Sequence, residues 1–516
     1  MTLSNWILIS GLLLAVARSG LAADVSLAEA AERADWTQLI ERLDALSGSR
    51  SDAVNEAQAD GMTALHWAVW HDRVDAVRQL LGRGARANVE NRYGIRPLML
   101  ACENGNGELV ELLLAAGADA NVAQPGGETP LMTASRTGSV RTVAALIQHK
   151  AEINARQRTS QTAIMWAAAE GHAAVVSLLL KHDADFRTPL RTGFTPLFFA
   201  VREGQREVVD FLLEAGEDVN SAMRPQIEAG RVPKSGTSPL LLAIENGHFE
   251  LAVHLLELGA DANDDRTGFT PLHTISWVRK PNSGDGLDGD PPPTGTGSIT
   301  SLQCVRALVE HGADVNARLK RGSARRGRLN PRRATPFFYA ADTADLPLMK
   351  LLLELGADPT IANNDDCPPV LAAAGLGTYA PGEEAGTQEE AIAAVQLLLD
   401  LGADINVVDR NGETVMHGAA YANWPKMVRF LAANGADINV WNRKNKFGWT
   451  PHLIAEGHRP GNFKPAAATL AAIRSVMREA GGELPEFTPA KRVNDDYKPS
   501  VAKPPSKNAK RPGAPM

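Results

Sequence analysis

The sequence predicts an all-α repeat protein: a solenoid of about eleven helix-turn-helix units joined by hairpin-like loops. Two anchors predict it. The segments TALH (from Thr63), RPLM (Arg96), TPLM (Thr129), TAIM (Thr162) and TPLF (Thr195) begin 33 residues apart. Further copies start at Ser238, Thr270, Thr335, Pro368, Thr414 and Thr450. The second anchor is a Gly-Ala-Asp-like triplet, in most units 21 residues after the first. Its first residues are Gly84, Gly117, Lys150, Asp183, Gly216, Gly259, Gly312, Gly356, Gly402 and Gly435, with Gly481 closing the last unit. Self-similarity at such a period marks a stacked array.

At the N-terminus, Trp6 to Ala17 is an apolar run of 12 residues followed by Ser19, Gly20, Ala22 and Ala23. That pattern predicts a secretory signal peptide over residues 1–23, too short to span a bilayer, cleaved near Ala22 or Ala23. The mature chain is then expected to be periplasmic or secreted. The n-region lacks Lys and Arg, so an uncleaved interfacial anchor is the competing reading. Residues 24–59 read as a degenerate helical pair, the polar cap that a repeat array needs.

Residues 60–482 form the repeats, and the residue types explain the unit. Thr supplies an N-cap, and Pro a preset first helical residue. A second apolar stripe follows at helical spacing, as in Glu108 to Leu114. Gly ends that helix in the left-handed conformation, and Asp, Asn and Gly make the turn to the next Thr. One unit cannot bury its own apolar face; stacking does.

These units resemble ankyrin repeats, whose T-P-L-H-x-A signature stands nearly intact at Thr129 to Ala134 and Thr270 to His273. The last three units, with CPPVLAAAGLG, NGETVMHGAAYANW and GWTPHLIAEG, resemble the ends of exported bacterial ankyrin proteins. The resemblance implies protein binding through a concave face built of inner-helix residues and hairpin tips. By register, the inner-helix positions are Trp70, Arg136, Arg202, Trp277 and Tyr421, and the hairpin positions Tyr93, Phe194, Phe269, Trp441 and Trp449. Exposed Trp, Tyr and Arg dominate interface energetics. Trp67, Trp166 and Phe199 follow the first anchor directly and are expected to pack. The His of the signature is structural in this family, which is the role expected of His66, His273 and His417.

Anchor spacing locates the inserts. Thr270 to Gly312 is 42 rather than 21, Pro368 to Gly402 is 34, and Thr450 to Gly481 is 31; these excesses lie between the two helices of the seventh, ninth and eleventh units. Gly216 to Ser238 and Gly312 to Thr335 are 22 and 23 where 12 is usual, which lengthens those fingers. Inserts in repeat arrays map to loops and often to the binding face. The finger from Arg318 to Arg333 is the most unusual: eight of its 16 residues are Lys or Arg and none is acidic. Arg318, Lys320, Arg321, Arg325, Arg326, Arg328, Arg332 and Arg333 can contact an acidic surface. The finger lacks aromatics to stack on bases, which argues against single-stranded nucleic acid. The bland alternative is a solvated loop.

Composition narrows the function further. The 516 residues carry 53 Lys and Arg against 60 Asp and Glu, a net charge of −7, which argues against polyanion binding by the whole molecule. Three cysteines exclude a disulfide framework, and Cys367, before Pro368, is expected to be exposed. No G-x-S-x-G, H-E-x-x-H or phosphate-loop motif occurs, so no catalytic, cofactor or metal site is expected. Gly284, Gly286 and Gly289 spell G-x-G-x-x-G without the strand and helix that motif needs, and Asp285, Asp288 and Asp290 lack a full calcium loop. Glu383, Glu384, Glu389 and Glu390 of the ninth unit's insert read as solvated, and residues 483–516, rich in Pro and Lys, as a disordered tail. The expectation is a noncatalytic exported scaffold for a partner protein. Its rivals are an effector delivered to another cell and an enzyme whose site is built by the inserts of the seventh to ninth units.

Overall fold

The third unit shows how the local sequence becomes structure. Thr129, in extended conformation, accepts the Met132 amide on its hydroxyl at 3.3 Å, and Pro130 opens the helix Pro130–Thr137. Gly138, at φ +80°, ends it, and Ser139 caps the outer helix Val140–Gln148. Leu131, Met132, Ala134, Val143 and Leu146 are buried. Lys150 takes the left-handed position that Gly holds in most units, at φ +62°, and Asp183 does the same at φ +61°. Both departures from Gly therefore keep the backbone turn.

The computed structural model describes residues 25–46, 51–227, 234–281, 292–321, 329–382, 385–459 and 464–486. Among these residues the secondary structure is helical, with one isolated bridge, Ala57 to Thr63, and no strand. The signal-peptide segment, the Gly- and Asp-rich part of the seventh unit's insert, Glu383, Glu384 and the Pro/Lys-rich tail beyond residue 486 lie outside the described residues. No described helix is long and apolar enough to cross a membrane.

The chain divides into two compact bodies, one running to Leu190 with Phe194–Glu217, the other comprising Arg191–Gly193 and the chain from Asp218. In the first, the helices Leu27–Glu32 and Trp36–Ala45 precede the repeats, burying Leu27, Leu39 and Leu43. The inner helices Ala64–Trp70, Pro97–Glu103, Pro130–Thr137, Ala163–Glu170 and Pro196–Arg202 then stack in order. In the second body the inner helices are Pro239–Glu245, Pro271–Arg279, Pro336–Asp342, Pro369–Ala373, Val415–Tyr421 and Pro451–Ala455. Each is followed by an antiparallel outer helix. A fully buried Leu or Val contributes roughly 1.5–3 kcal/mol, so units that share these faces hold one another.

A side-chain ladder runs along the outer turns. Asn55, Asn88, Asn121 and Asn154 each donate to the carbonyl that opens the next triplet, at Gly84, Gly117, Lys150 and Asp183. Each also accepts an amide two residues on, from Arg86, Asp119, Glu152 and Asp185. In the second body Asn220, Asn263, Asn316 and Asn406 repeat the clamp. Arg187 stands at this position in the fifth unit and reaches the Gly216 carbonyl at 2.9 Å instead. The hairpin fingers add backbone bonds between units, such as Arg158 N–H to the Gly126 carbonyl and Arg410 N–H to that of Asp365.

Candidate functional site: an aromatic cavity on the inner helices

Three rings meet in the second body. Phe269 ends a finger whose turn is held by Arg266, which donates to both Asp264 oxygens at 2.7 and 2.9 Å. Trp277 lies on the helix Pro271–Arg279 and Tyr339 on Pro336–Asp342. The Phe269 and Trp277 centroids are 5.0 Å apart with planes at 80°, and Trp277 and Tyr339 are 5.9 Å apart at 76°. All three are half-buried and line a cavity of about 300 Å³ with Lys234, Glu245, Thr267 and Thr274. The Lys234 ammonium sits 4.6 Å from the Phe269 centroid. Phe269 and Trp277 were legible in the sequence; Tyr339, Lys234 and Glu245 were not. Tyr339 shares the register of Trp67, Trp166 and Phe199, four residues after the first anchor, a position expected to pack. Only Phe199 is buried there; Trp67, Trp166 and Tyr339 are half-buried.

In the first body the named residues are mostly engaged. Phe194 is buried rather than exposed: its ring lies 5.0 Å from Phe199, and the Arg202 guanidinium covers both at 5.1 and 5.2 Å. Arg202 also pairs with Glu203, and Arg136 with Glu103, each at 2.7 Å. Trp70 is half-buried, and Tyr93 stands out at 66% exposure.

In the second body two further aromatics and one thiol expected at the surface are interior. Tyr421 is buried because its hydroxyl belongs to a polar network under the fingers, donating to Glu413 Oε1 at 3.3 Å and accepting from Asn445 at 3.2 Å. Arg459 donates to the Tyr421 carbonyl. Trp441 is buried where the short helix Ile438–Trp441 packs on Val415–Tyr421. Trp449 stays half-buried. Cys367 is buried because the finger folds its thiol inward; burial, then the charge of Asp409, raises its pKa well above the ordinary thiol range. Cys102 and Cys304 are also buried and free.

Asn363, Asp365, Cys367, Asp409, Asn411, Glu413 and Lys446 line, with Tyr421, a cavity of about 30 Å³, and Asn445 joins the network through its bonds to Glu413 and Tyr421. Burial pushes the Glu413 carboxyl up to about 8, and burial raises Asp409 as well. A space of that size holds one water molecule and no organic substrate.

The basic finger is anchored at its base. Leu319 and Ala334 pair through the backbone, and Arg318 donates to the carbonyls of Arg333 and Ala362 at 3.1 and 2.5 Å. Lys320 pairs with Asp265. Lys320, Arg321, Arg332 and Arg333 are exposed, while Arg325, Arg326 and Arg328 lie outside the described residues. Glu389 and Glu390, expected to be solvated, pair with Lys426 and Lys280 at 2.5 and 2.7 Å.

The three signature histidines are structural. The Thr63 amide donates to His66 Nδ1 at 3.2 Å, so Nε2 carries the proton and donates to the Ile95 carbonyl at 3.1 Å, in the next unit. His273 and His417 repeat this with Thr270 and Ala334, and with Thr414 and Trp449. Burial holds His273 and His417 down at about 4 and lowers His66.

The family model described as "Ankyrin repeats (3 copies)" matches residues 65–157, 156–223 and 385–464, and the one described as "Ankyrin repeat" matches 235–266 and 332–364. The chain belongs to the ankyrin-repeat family. Two curated relatives match part of this ankyrin protein. "Ankyrin repeat, SAM and basic leucine zipper domain-containing protein 1" of Dasypus novemcinctus is 38% identical over 136 residues, 26% of this chain and 24% of that protein. "Mitochondrial disaggregase" of Bos taurus is 32% identical over 195 residues, 34% of this chain and 28% of that protein. The ankyrin chain thus spans about a quarter of the length of these relatives. Ankyrin repeats serve protein–protein interaction and are generally noncatalytic, a role that matches the half-exposed rings on preformed helices.

Proposed function

We propose that this chain is a noncatalytic scaffold that is exported and binds a partner protein through inner-helix and finger side chains. The observation that carries the binding reading is the cavity of about 300 Å³ formed by Phe269, Trp277 and Tyr339. Large rings held on helices lose little conformational entropy on binding. Tyr93 and Trp70 in the first body offer side chains of the same kind, and the basic finger offers charge for an acidic patch. Export rests on the apolar run Trp6 to Ala17 and the small residues after it.

The test is a cross-linked pull-down from the native envelope with tagged protein, beside Trp277→Ala and a deletion of Arg318 to Arg333. One protein enriched by the full chain and lost with either change supports the reading. No specific retention by any of the three would sink it. Mass spectrometry of the recovered N-terminus tests export: a mature chain starting near Asp24 supports it, and an intact Met1 in a soluble cytoplasmic pool overturns it.

The enzyme reading has one observation in its favour, the titratable groups gathered around Glu413. The size of that cavity turns the argument to polar packing, since room for a single water leaves none for an organic substrate beside Asp409 and Glu413.

A further inference from the structure

We propose that the Phe269–Trp277–Tyr339 cavity is a cage for an alkylated ammonium group, supplied by a methylated lysine side chain of the partner. The inference rests on the protein-binding reading and names what that site recognises.

The geometry points to a cation. Successive ring planes lie at 80° and 76°, with centroids 5.0 and 5.9 Å apart. Both pairs are edge-to-face contacts, which fix the three rings against one another while all three still line the cavity. A cation within about 6 Å of a ring centroid is attracted by the negative face of the π system. The chain already shows one: the Lys234 ammonium is 4.6 Å from the Phe269 centroid and lines the same cavity. Glu245 stands at the rim, where burial raises its carboxyl pKa and the Lys234 charge opposes that rise. The floor at Thr274 is fully buried.

Size and hydration select the kind of cation. The cavity, about 300 Å³ beside Lys234, lies at the lower end of small-ligand sites. A bare lysine ammonium is compact and strongly hydrated, so it gives up much water on entering an apolar box. Methyl groups spread the charge and add apolar surface that three rings can cover. Lys234 competes for the same ring face, and removing its charge should strengthen binding of an incoming cation.

The experiment is calorimetric titration of the full chain with four probes: N-acetyl-Nε-trimethyl-lysine methylamide, its unmethylated counterpart, choline, and 3,3-dimethylbutanol, the neutral isostere of choline. The trimethyl-lysine probe should bind at least tenfold more tightly than the unmethylated one, and choline at least tenfold more tightly than dimethylbutanol. Trp277→Ala and Tyr339→Ala should each weaken the cations by tenfold or more, with helical circular dichroism unchanged; Trp277→Phe, which keeps a ring, should weaken them less. Lys234→Gln should tighten them several-fold.

Equal binding of choline and dimethylbutanol would overturn the cage in favour of a plain apolar slot. Choline binding more tightly than the trimethyl-lysine probe would overturn the partner-lysine assignment in favour of a free quaternary ammonium. Binding by no probe, or binding unaffected by Trp277 and Tyr339, would overturn the proposal. A partner still captured by Trp277→Ala would leave the scaffold reading standing while removing this one.

Discussion

Arg279 grips Asp345 with two prongs, Nε to Oδ2 at 2.7 Å and Nη2 to Oδ1 at 3.1 Å, across 66 residues of chain. The same guanidinium reaches Ser301 Oγ at 2.5 Å, at the start of the outer helix that follows the long insert. Asp345 in turn caps the helix Leu346–Glu354 through the Leu348 amide at 3.2 Å. One side chain therefore ties the end of an inner helix to its own outer helix and to the next unit.

Asp345→Ala removes a buried partner and a cap, and should destabilise the second body by about 3 kcal/mol. Asp345→Asn, which keeps the cap, should cost less. Urea unfolding followed by circular dichroism reads both; an Asp345→Ala midpoint equal to wild type would refute the account.

The asparagine ladder has a gap where Thr360 occupies the Asn position and bonds Asp358 at 2.7 Å. Thr360→Asn should restore the clamp to the Gly402 turn and stabilise the second body by about 1 kcal/mol. Asn316→Ala, which breaks an existing clamp to Gly356, should cost about the same. Thermal unfolding of the two variants should shift in opposite directions.

His273 and His417 are neutral in the fold, held at about 4 by burial. An unfolded His titrates near 6.5, so between those values the unfolded chain binds more protons than the native one. The stability these residues confer is present above pH ~6.5 and is lost as pH falls towards ~4. His417→Gln keeps a polar group at the capping-box position and should flatten part of that slope. An unchanged slope between pH 7 and 4 would count against the assignment.

Glu413 has the opposite sign. Its carboxyl is pushed up to about 8 by burial, aided by the Asp409 charge and opposed by Asn445 and Tyr421. An unfolded Glu titrates near 4.3, so the native chain binds the extra proton, and stability falls as pH rises from ~4.3 to ~8. Glu413→Gln should therefore be more stable than wild type at pH 9, and the two should converge at pH 4. A variant less stable than wild type at pH 9 would show that Glu413 is ionised and paired in the fold.

Cys102, Cys304 and Cys367 should resist thiol reagents in the folded chain and all three should react in denaturant. Rapid native labelling of Cys367 would contradict its burial.

The helical repeat unit and the order of its helices were readable because each follows from a short-range rule: a Thr-Pro cap, an apolar stripe, a Gly after the stripe. Even Lys150 and Asp183, which break the Gly rule, occupy the same turn. The signature histidines were readable for the same reason, since half of each one's bonds lie within its own unit. What the sequence by itself determined is thus the unit and its register, because a unit's backbone conformation is set within some 33 residues. What only the tertiary structure decided is which register positions remain open. Trp70, Trp277 and Tyr421 share one position, yet Tyr421 is interior because Glu413 and Asn445, from two different fingers, close over its hydroxyl. Tyr339 shares its position with Phe199, yet Phe199 is covered by Phe194 and Arg202 while Tyr339 faces a cavity. Exposure depends on what the neighbouring unit places opposite, and that is a property of the stack, absent from any one repeat.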